Sequence, residues 1–213
     1  GEYRGRAFAT RFSSDGKQLV AASQDGGVHL YDVGTWRKTK EIRARDTGWA
    51  VLDLDFSRDQ NFIAYSSWSE KVQLVNVRGE YELHEALDMS PEFHSCMFSI
   101  RFSPCGTSLV AGLNHGYLIY YDVERKRKLD QFRGHCDDVN SVCFLSDATS
   151  DVFLTGSDDG LALLWDRREG PRKPKASMPG HQDGITCVAS MGDGRYCLSN
   201  GKDSVCRLWD LRR

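Results

Sequence analysis

One spacing recurs along the chain and restricts its fold more than any other feature. An aromatic residue followed by aspartate occurs four times, and a related pair completes the series: Tyr31-Asp32, Val75-Asn76, Tyr121-Asp122, Trp165-Asp166 and Trp209-Asp210. The spacings between these pairs are 44, 46, 44 and 44 residues. Turn-forming segments at 13–16, 57–60, 103–106 and 191–194 keep the same phase. A regular period of this length indicates a tandem array of similar structural units.

Each period contains short runs of β-branched and aromatic residues that are bounded by Asp, Gly and Ser. In the first period these runs are residues 8–12, 18–22 and 28–31, and such runs are typical of antiparallel strands. The middle runs, such as residues 161–165, alternate only weakly, which indicates sheets that are covered on both faces. No segment keeps a helical period. We therefore predict an all-β fold of four-stranded sheets, the blades of a β-propeller, because a period of about 44 residues fits that unit.

The fourth and fifth periods carry a specific resemblance. Gly134-His135, residues 154–160 and Trp165-Asp166 resemble the consensus of the WD-repeat family, as do Gly180-His181, Leu198-Ser199, Asp203 and Trp209-Asp210. The resemblance implies one buried hydrogen-bonded tetrad in each of these blades: His135, Thr155, Asp159 and Trp165, then His181, Ser199, Asp203 and Trp209. The first three repeats have Ala21, Tyr65 and Ala111 at the Ser/Thr position. We expect their blades to depend more on apolar packing.

The same resemblance sets the expected domain organisation. We take residues 1–213 as a single propeller domain with repeats at about 1–35, 36–79, 80–124, 125–168 and 169–213. WD-repeat propellers usually have seven blades, which close the ring and leave no open sheet edge. About five blades of a probable seven are then present, and we expect the chain to be a fragment of a longer protein.

The His, Ser/Thr and Asp of each tetrad are also the residue types of a hydrolase triad. A structural role is favoured because a tryptophan completes each set and because the set recurs once per repeat. The sequence has no nucleotide-binding, zinc-protease or EF-hand motif, and its six histidines are dispersed. We expect no enzymatic activity, no catalytic residue, no metal, no cofactor and no small-molecule substrate.

The strongest functional signal is a pair of Asp-x-Arg motifs, Trp165-Asp166-Arg167-Arg168 and Trp209-Asp210-Leu211-Arg212. One period separates them, so they occupy equivalent places on neighbouring blades. The pair is similar to the signature of WD-repeat substrate receptors of cullin-4 RING ubiquitin ligases, and segments 42–53, 65–69 and 179–186 extend the similarity. The resemblance implies that Asp166, Arg168, Asp210 and Arg212 bind the ligase adaptor, a task that suits the planar guanidinium. The alternative is that both arginines are solvated residues at strand ends.

Two tryptophans are candidates for contact with a protein substrate. Trp49 and Trp68 lie in or beside loops of a repeat that lacks the tetrad, and aromatic side chains dominate protein interfaces. The alternative is that both fill space between blades.

These features lead to a predicted function and a set of partners. We predict a substrate receptor that binds the cullin-4 adaptor and a target protein and so promotes ubiquitination and proteasomal degradation. The alternative is a WD-repeat scaffold in a chromatin or RNA-processing complex. A net charge of −2 and basic runs without interleaved aromatics argue against nucleic acid, and no apolar run of about 20 residues indicates a membrane span.

The basic runs and the cysteines bear on localisation. Residues 125–128 and 171–175 are either solvated loops or nuclear-import signals. Seven cysteines without a C-x-x-C spacing predict free thiols in a reducing compartment. We expect the protein in the nucleus and the cytoplasm.

Overall fold

A computed structural model of the chain describes residues 5–79, 81–91, 93–170 and 173–212. Within these residues the regular structure is almost entirely strand, with two single 3-10 turns at Asn114–Gly116 and Arg167–Glu169. The strands are β1 Ala7–Phe12, β2 Gln18–Ser23, β3 Gly27–Asp32, β4 Arg37–Arg43, β5 Val51–Phe56, β6 Phe62–Ser67, β7 Lys71–Asn76, β8 His84–Asp88, β9 Met97–Phe102, β10 Ser108–Leu113, β11 Tyr117–Asp122, β12 Arg127–Arg133, β13 Val139–Ser146, β14 Thr149–Ser157, β15 Ala162–Asp166, β16 Ala176–Met178, β17 Ile185–Ser190, β18 Tyr196–Gly201 and β19 Cys206–Asp210.

The strands form five antiparallel sheets, in each of which neighbours in the sheet are also neighbours in the chain. We call them blades 1 to 5: β1–β4, β5–β8, β9–β12, β13–β16 and the three-stranded β17–β19. The chain divides into two compact units, Gly1–Phe102 and Ser103–Arg213, with the boundary between β9 and β10. The all-β fold and the five blades predicted from the 44-residue period are confirmed.

The blades are offset from the repeats that the sequence suggests. The last strand of a blade follows the aromatic-Asp pair, so that β4, β12 and β16 lie after Asp32, Asp122 and Asp166. This offset arises because the pair ends the third strand, and the chain then turns back to add a fourth to the same sheet.

A Ser-x-Asp turn between the first two strands explains the second periodic signal. In blade 1, Ser13 Oγ donates to Asp15 Oδ1 at 2.7 Å, and the backbone N–H of Lys17 donates to the same oxygen at 3.1 Å. Gly16 has a φ of +69°, a conformation that glycine adopts without steric cost. The aspartate therefore satisfies donors that the tight turn leaves without a backbone partner.

Apolar residues pack between successive blades. Leu154 and Leu164 of blade 4 are covered by Ile185 and Val188 of β17, and all four are almost fully buried. In the first unit, Val51 and Leu54 of β5 belong to one cluster with residues of blade 1. The first strand of blade 2 and that of blade 5 therefore cover the preceding blade, and this coverage is why the middle strands there lack polar alternation.

The seven cysteines are all free thiols in the structure, as the sequence predicts. No helix among the described residues is long and apolar enough to cross a membrane.

Candidate functional site

The first Asp-x-Arg motif ends the third strand of blade 4 with a closed ion pair. Asp166 is 2% exposed. Arg168 donates to it through Nε, 2.9 Å from Oδ1, and through Nη2, 2.6 Å from Oδ2. The backbone N–H of Arg168 also donates to Oδ1, because the chain enters a 3-10 turn directly after Asp166. The aspartate thus fixes the guanidinium, of which 63% of the side-chain surface remains exposed.

The second motif uses a different arginine. Asp210 accepts hydrogen bonds from Arg195, through Nε at 3.1 Å and Nη2 at 2.7 Å. Arg212 contributes its backbone N–H to Asp210 at 3.1 Å, and this arginine is exposed. The two motifs share the backbone geometry that their spacing predicts, but they do not share the arginine that pairs with the aspartate.

Both aspartates are held as carboxylates. The hydrogen bonds from Arg168 lower the pKa of Asp166 far below its ordinary value, against the opposing effect of burial. Arg195 lowers the pKa of Asp210 in the same way. An ionised carboxylate accepts hydrogen bonds and donates none. These aspartates therefore orient arginines, and they do not supply protons.

The structure brings all four residues of each predicted tetrad together. In blade 4, Trp165 Nε1 donates to Thr155 Oγ1 at 2.8 Å, and Thr155 Oγ1 lies 2.6 Å from His135 Nε2. His135 Nδ1 lies 2.9 Å from Asp159 Oδ2. Because burial of Asp159 is outweighed by its hydrogen bonds and its pKa is lowered, the carboxylate accepts from Nδ1–H. With the imidazole neutral, Nε2 is the acceptor and the threonine hydroxyl donates to it.

Blade 5 repeats this directed chain. Trp209 Nε1 donates to Ser199 Oγ at 2.8 Å, Ser199 Oγ lies 2.8 Å from His181 Nε2, and His181 Nδ1 lies 3.0 Å from Asp203. Glycine precedes each histidine, and a Cβ on Gly134 would lie 2.7 Å from the Trp165 ring. The glycine at position 134 therefore lets the tryptophan pack against the turn.

The tetrad hydroxyl is inaccessible to a substrate. Thr155 is 0% exposed, and its oxygen already bonds Trp165 and His135. A nucleophilic hydroxyl must reach the reacting atom of its substrate. This group stabilises a blade and does not form a hydrolase site.

Blade 2 differs from the expectation of mainly apolar packing. Tyr65, at the Ser/Thr position, is 1% exposed. Its hydroxyl accepts a hydrogen bond from the backbone N–H of Arg45 at 2.8 Å and lies 3.3 Å from His84 Nδ1. The phenol hydroxyl thus accepts a backbone donor of the turn that precedes blade 2. In blades 1 and 3 the equivalent Ala21 and Ala111 are buried and apolar.

Trp49 and Trp68 lie against each other at the surface of the first unit. Their ring centroids are 5.8 Å apart, and Phe8 adds a third ring 5.2 Å from Trp49. Phe8, Trp49 and Trp68, the aromatic cluster, are 38%, 47% and 54% exposed. Gly48 has a φ of +61°, and its absent Cβ would lie 2.6 Å from the carbonyl oxygen of Trp68. This close approach of the loop to β6 places Trp49 beside Trp68.

Within the described residues, no group of three or more His, Cys, Asp or Glu side chains could hold a metal ion.

Sequence reasoning missed the contacts of Phe8 with Trp49, of Arg195 with Asp210 and of Tyr65 with the turn at Arg45. Arg195 follows the turn at residues 191–194 rather than the aromatic-Asp pair, so no local motif connects it with Asp210.

Comparison with known proteins agrees with this geometry. The family described as WD domain, G-beta repeat matches residues 6–32, 126–166 and 172–210. The chain is 37% identical over 221 residues to a LEC14B homolog of Prunus armeniaca, an alignment that covers 97% of this chain and 46% of the relative. It is 34% identical over 230 residues to a DDB1- and CUL4-associated factor 11 homolog of Caenorhabditis elegans, covering 98% of this chain and 39% of the relative.

A guanine nucleotide-binding protein subunit beta of Nicotiana tabacum is 24% identical over 219 residues, covering 99% of this chain and 57% of that protein. The chain therefore spans less than half the length of the two relatives with the higher identity. The matched repeats, the two tetrads and the blades lead to the same conclusion: the chain belongs to the WD-repeat family, and it is related to WD-repeat proteins named as cullin-4-associated factors.

Proposed function

We propose that this chain is the propeller part of a substrate receptor of a cullin-4 RING ubiquitin ligase. The observation that carries the proposal is the shared register of Asp166 and Asp210, which pair with Val152 and Tyr196 at the ends of adjacent blades. Each end presents an exposed arginine, Arg168 or Arg212. Relatives named for association with DDB1 and CUL4 support the ligase adaptor as the partner of this end.

The physical role of the motif is preorganisation. An arginine side chain loses rotational freedom when it binds, and this loss weakens association. Asp166 fixes Arg168 before the partner arrives, and two of the five guanidinium donors bond the aspartate. The remaining donors are available to carboxylate or carbonyl oxygens of the adaptor.

The aromatic cluster fits the second task of a receptor, which is contact with a protein substrate. In blade 2, Trp68 lies just before the first residue of β7, Lys71, whereas Asn76, the counterpart of Asp166, ends that strand. A strand of this length separates its ends by about 17 Å. The aromatic cluster therefore lies at the end of blade 2 opposite to Asn76, whose counterparts in blades 4 and 5 carry the proposed adaptor contact.

The receptor contributes proximity and no bond-making step. A bound target is held near the ubiquitin-conjugating enzyme, which raises the effective concentration of its lysines. Ubiquitination then commits the target to proteasomal degradation. The proposed partners are the adaptor and a protein substrate, without a cofactor, small-molecule substrate, nucleic acid or membrane, and the proposed location is the nucleus and the cytoplasm.

Affinity capture of the tagged full-length protein separates this proposal from a scaffold in a chromatin or RNA-processing complex. We expect cullin-4 and its adaptor among the captured proteins. Trp49→Ala with Trp68→Ala should retain the adaptor and reduce ubiquitination of bound substrates, whereas Trp36→Ala, which removes another exposed tryptophan, should change neither. Capture of a chromatin or RNA-processing complex without cullin-4 would support the scaffold.

A further inference from the structure

Three successive blades hold an arginine on the aspartate that ends the third strand. Asp122, Asp166 and Asp210 pair with Ser108, Val152 and Tyr196 across β10–β11, β14–β15 and β18–β19, so they occupy one register position. All three aspartates lie in the second unit. Blade 3 therefore repeats the geometry of the two Asp-x-Arg motifs, although its sequence lacks the motif.

The arginine of blade 3 is Arg125. Its Nη1 donates to Asp122 Oδ2 at 2.9 Å, and its backbone N–H donates to Oδ1 at 2.8 Å. Asp122 is 5% exposed, whereas 69% of the Arg125 side chain is exposed. These values match those of Asp166 and Arg168, so the buried carboxylate again fixes an exposed guanidinium.

Three different positions in the sequence supply these arginines. Arg125 follows its aspartate by three residues, Arg168 follows by two, and Arg195 precedes its aspartate by 15. The aspartate is constant and the donor varies. In blade 1, Asp32 instead accepts hydrogen bonds from the backbone N–H and hydroxyl of Thr35, and blade 2 has Asn76 at this position.

The surroundings of these pairs carry additional positive charge. Each Asp-Arg pair is neutral by itself, but residues 122–128 contain two acidic and four basic side chains. In blade 4, Lys175 Nζ lies 3.3 Å from Asp166 Oδ2 and 2.7 Å from Glu169 Oε1, which offsets its charge, so the excess of positive charge is larger beside blade 3. Such a surface attracts carboxylates, and its exposed guanidinium groups can bind them in a planar, two-point geometry.

We propose that Arg125, Arg168, Arg195 and Arg212 form one arginine surface across blades 3 to 5 and that this surface binds an acidic face of the ligase adaptor. The proposal rests on the function proposed above and adds blade 3 to the contact. Asp122, Asp166 and Asp210 are positioning residues that fix the guanidinium groups. A protein partner is favoured over nucleic acid because a carboxylate pairs with the guanidinium groups of Arg125, Arg168 and Arg195 and would repel phosphates.

The test is a titration of the full-length protein with purified cullin-4 adaptor, at about 0.05 and 0.2 M salt. We expect Arg125→Ala to weaken binding about tenfold and to reduce its dependence on salt. Arg125→Lys should recover part of the affinity, because it keeps the charge and loses the planar fork. The matched control is Arg37→Ala, an exposed arginine that follows Asp32 in blade 1.

Each outcome decides between the two proposals. Unchanged binding by Arg125→Ala, together with lost binding by Arg168→Ala and Arg212→Ala, would confine the contact to two blades and overturn the inference alone. Absence of any binding by the unaltered protein would overturn the proposed function and this inference with it. Titration with a labelled RNA provides the remaining comparison: loss of RNA binding in Arg125→Ala with full adaptor binding would assign the surface to nucleic acid. The Arg125→Ala variant should melt near the temperature of the unaltered protein, because Asp122 keeps the backbone N–H of residue 125 as a donor.

Discussion

Arg195 is paired with Asp210 across 15 residues of sequence, through Nε and Nη2 at 3.1 and 2.7 Å. The pair joins the turn between the first two strands of blade 5 to the end of the third strand. Its guanidinium also lies 4.5 Å from the ring of Tyr196. The aspartate of the second Asp-x-Arg motif is thus paired with an arginine outside the motif. The exposed Arg212 side chain remains beside this pair.

This pairing predicts how Asp210 titrates. Arg195 lowers the pKa of Asp210. In the Arg195→Met variant, the pKa of Asp210 should therefore rise toward the ordinary aspartate value. A folded-state pKa below the unfolded value contributes stability above the unfolded pKa, and this contribution is lost as the pH falls. NMR titration of the Asp210 carboxyl measures the shift, and Asp166 serves as the internal control. An unshifted Asp210 in Arg195→Met would show that the ion pair does not control its ionisation.

The tetrad of blade 4 should carry a measurable share of stability. Thr155→Val keeps the shape of the side chain but leaves the buried Trp165 Nε1–H and His135 Nε2 without partners. We expect the free energy of unfolding to fall by about 2–4 kcal/mol, since each unsatisfied buried group costs about 1–3 kcal/mol. Thr10→Val, at an exposed position of β1, should change it by less than about 0.5 kcal/mol. Urea denaturation measures the free energy of unfolding of both variants. An equal loss of this free energy in Thr155→Val and Thr10→Val would contradict the role of the tetrad.

Two carboxylates of β5 should make the stability of the first unit depend on pH. Asp53 and Asp55 accept backbone N–H groups of β9, from Ile100 at 3.1 Å and Phe102 at 2.9 Å. Burial raises the pKa of Asp53 to about 6 and that of Asp55 to about 7. The folded state then binds more protons than the unfolded state between about pH 4 and 7. Stability should therefore fall as the pH rises through this window.

Asp55→Asn tests this dependence, because the amide keeps the shape and cannot ionise. Denaturation midpoints measured from pH 4 to pH 8 should vary less in this variant than in the unaltered protein. Asp15→Asn is the comparison, since the pKa of Asp15 is lowered by Ser13 rather than raised by burial. A pH profile that Asp55→Asn leaves unchanged would show that this carboxyl does not titrate in the folded state in that range.

The features that recur in each repeat could be predicted from the sequence alone. A 44-residue period with strand-like runs leads to antiparallel blades, and the pairs Trp165-Asp166 and Trp209-Asp210 lie where their spacing places them. The tetrads follow from family resemblance, since no local pattern connects His135 with Thr155. The structure then supplies the hydrogen bonds that join them.

Contacts that depend on the shape of turns could not be read from the sequence. Arg125 and Arg168 reach equivalent aspartates from different offsets, because each turn has its own length. Phe8 meets Trp49 only because β1 of blade 1 and β5 of blade 2 lie side by side. Tyr65 replaces a smaller hydroxyl because the adjoining turn offers a backbone N–H at the reach of a phenol. Periodicity describes what the repeats share, and the candidate site depends on where they differ.

The affinity of the purified ligase adaptor for the full-length protein and for its Arg168→Ala, Arg212→Ala variant tests the central claim most directly. Truncation of a buried charge-assisted pair at an interface typically costs about 2–5 kcal/mol. The double variant should therefore bind about 100-fold more weakly or worse. It should still fold, because Asp166 keeps the backbone N–H of residue 168 and Lys175 as donors. Equal affinity of the unaltered protein and a folded double variant would contradict adaptor binding through the Asp-x-Arg motifs.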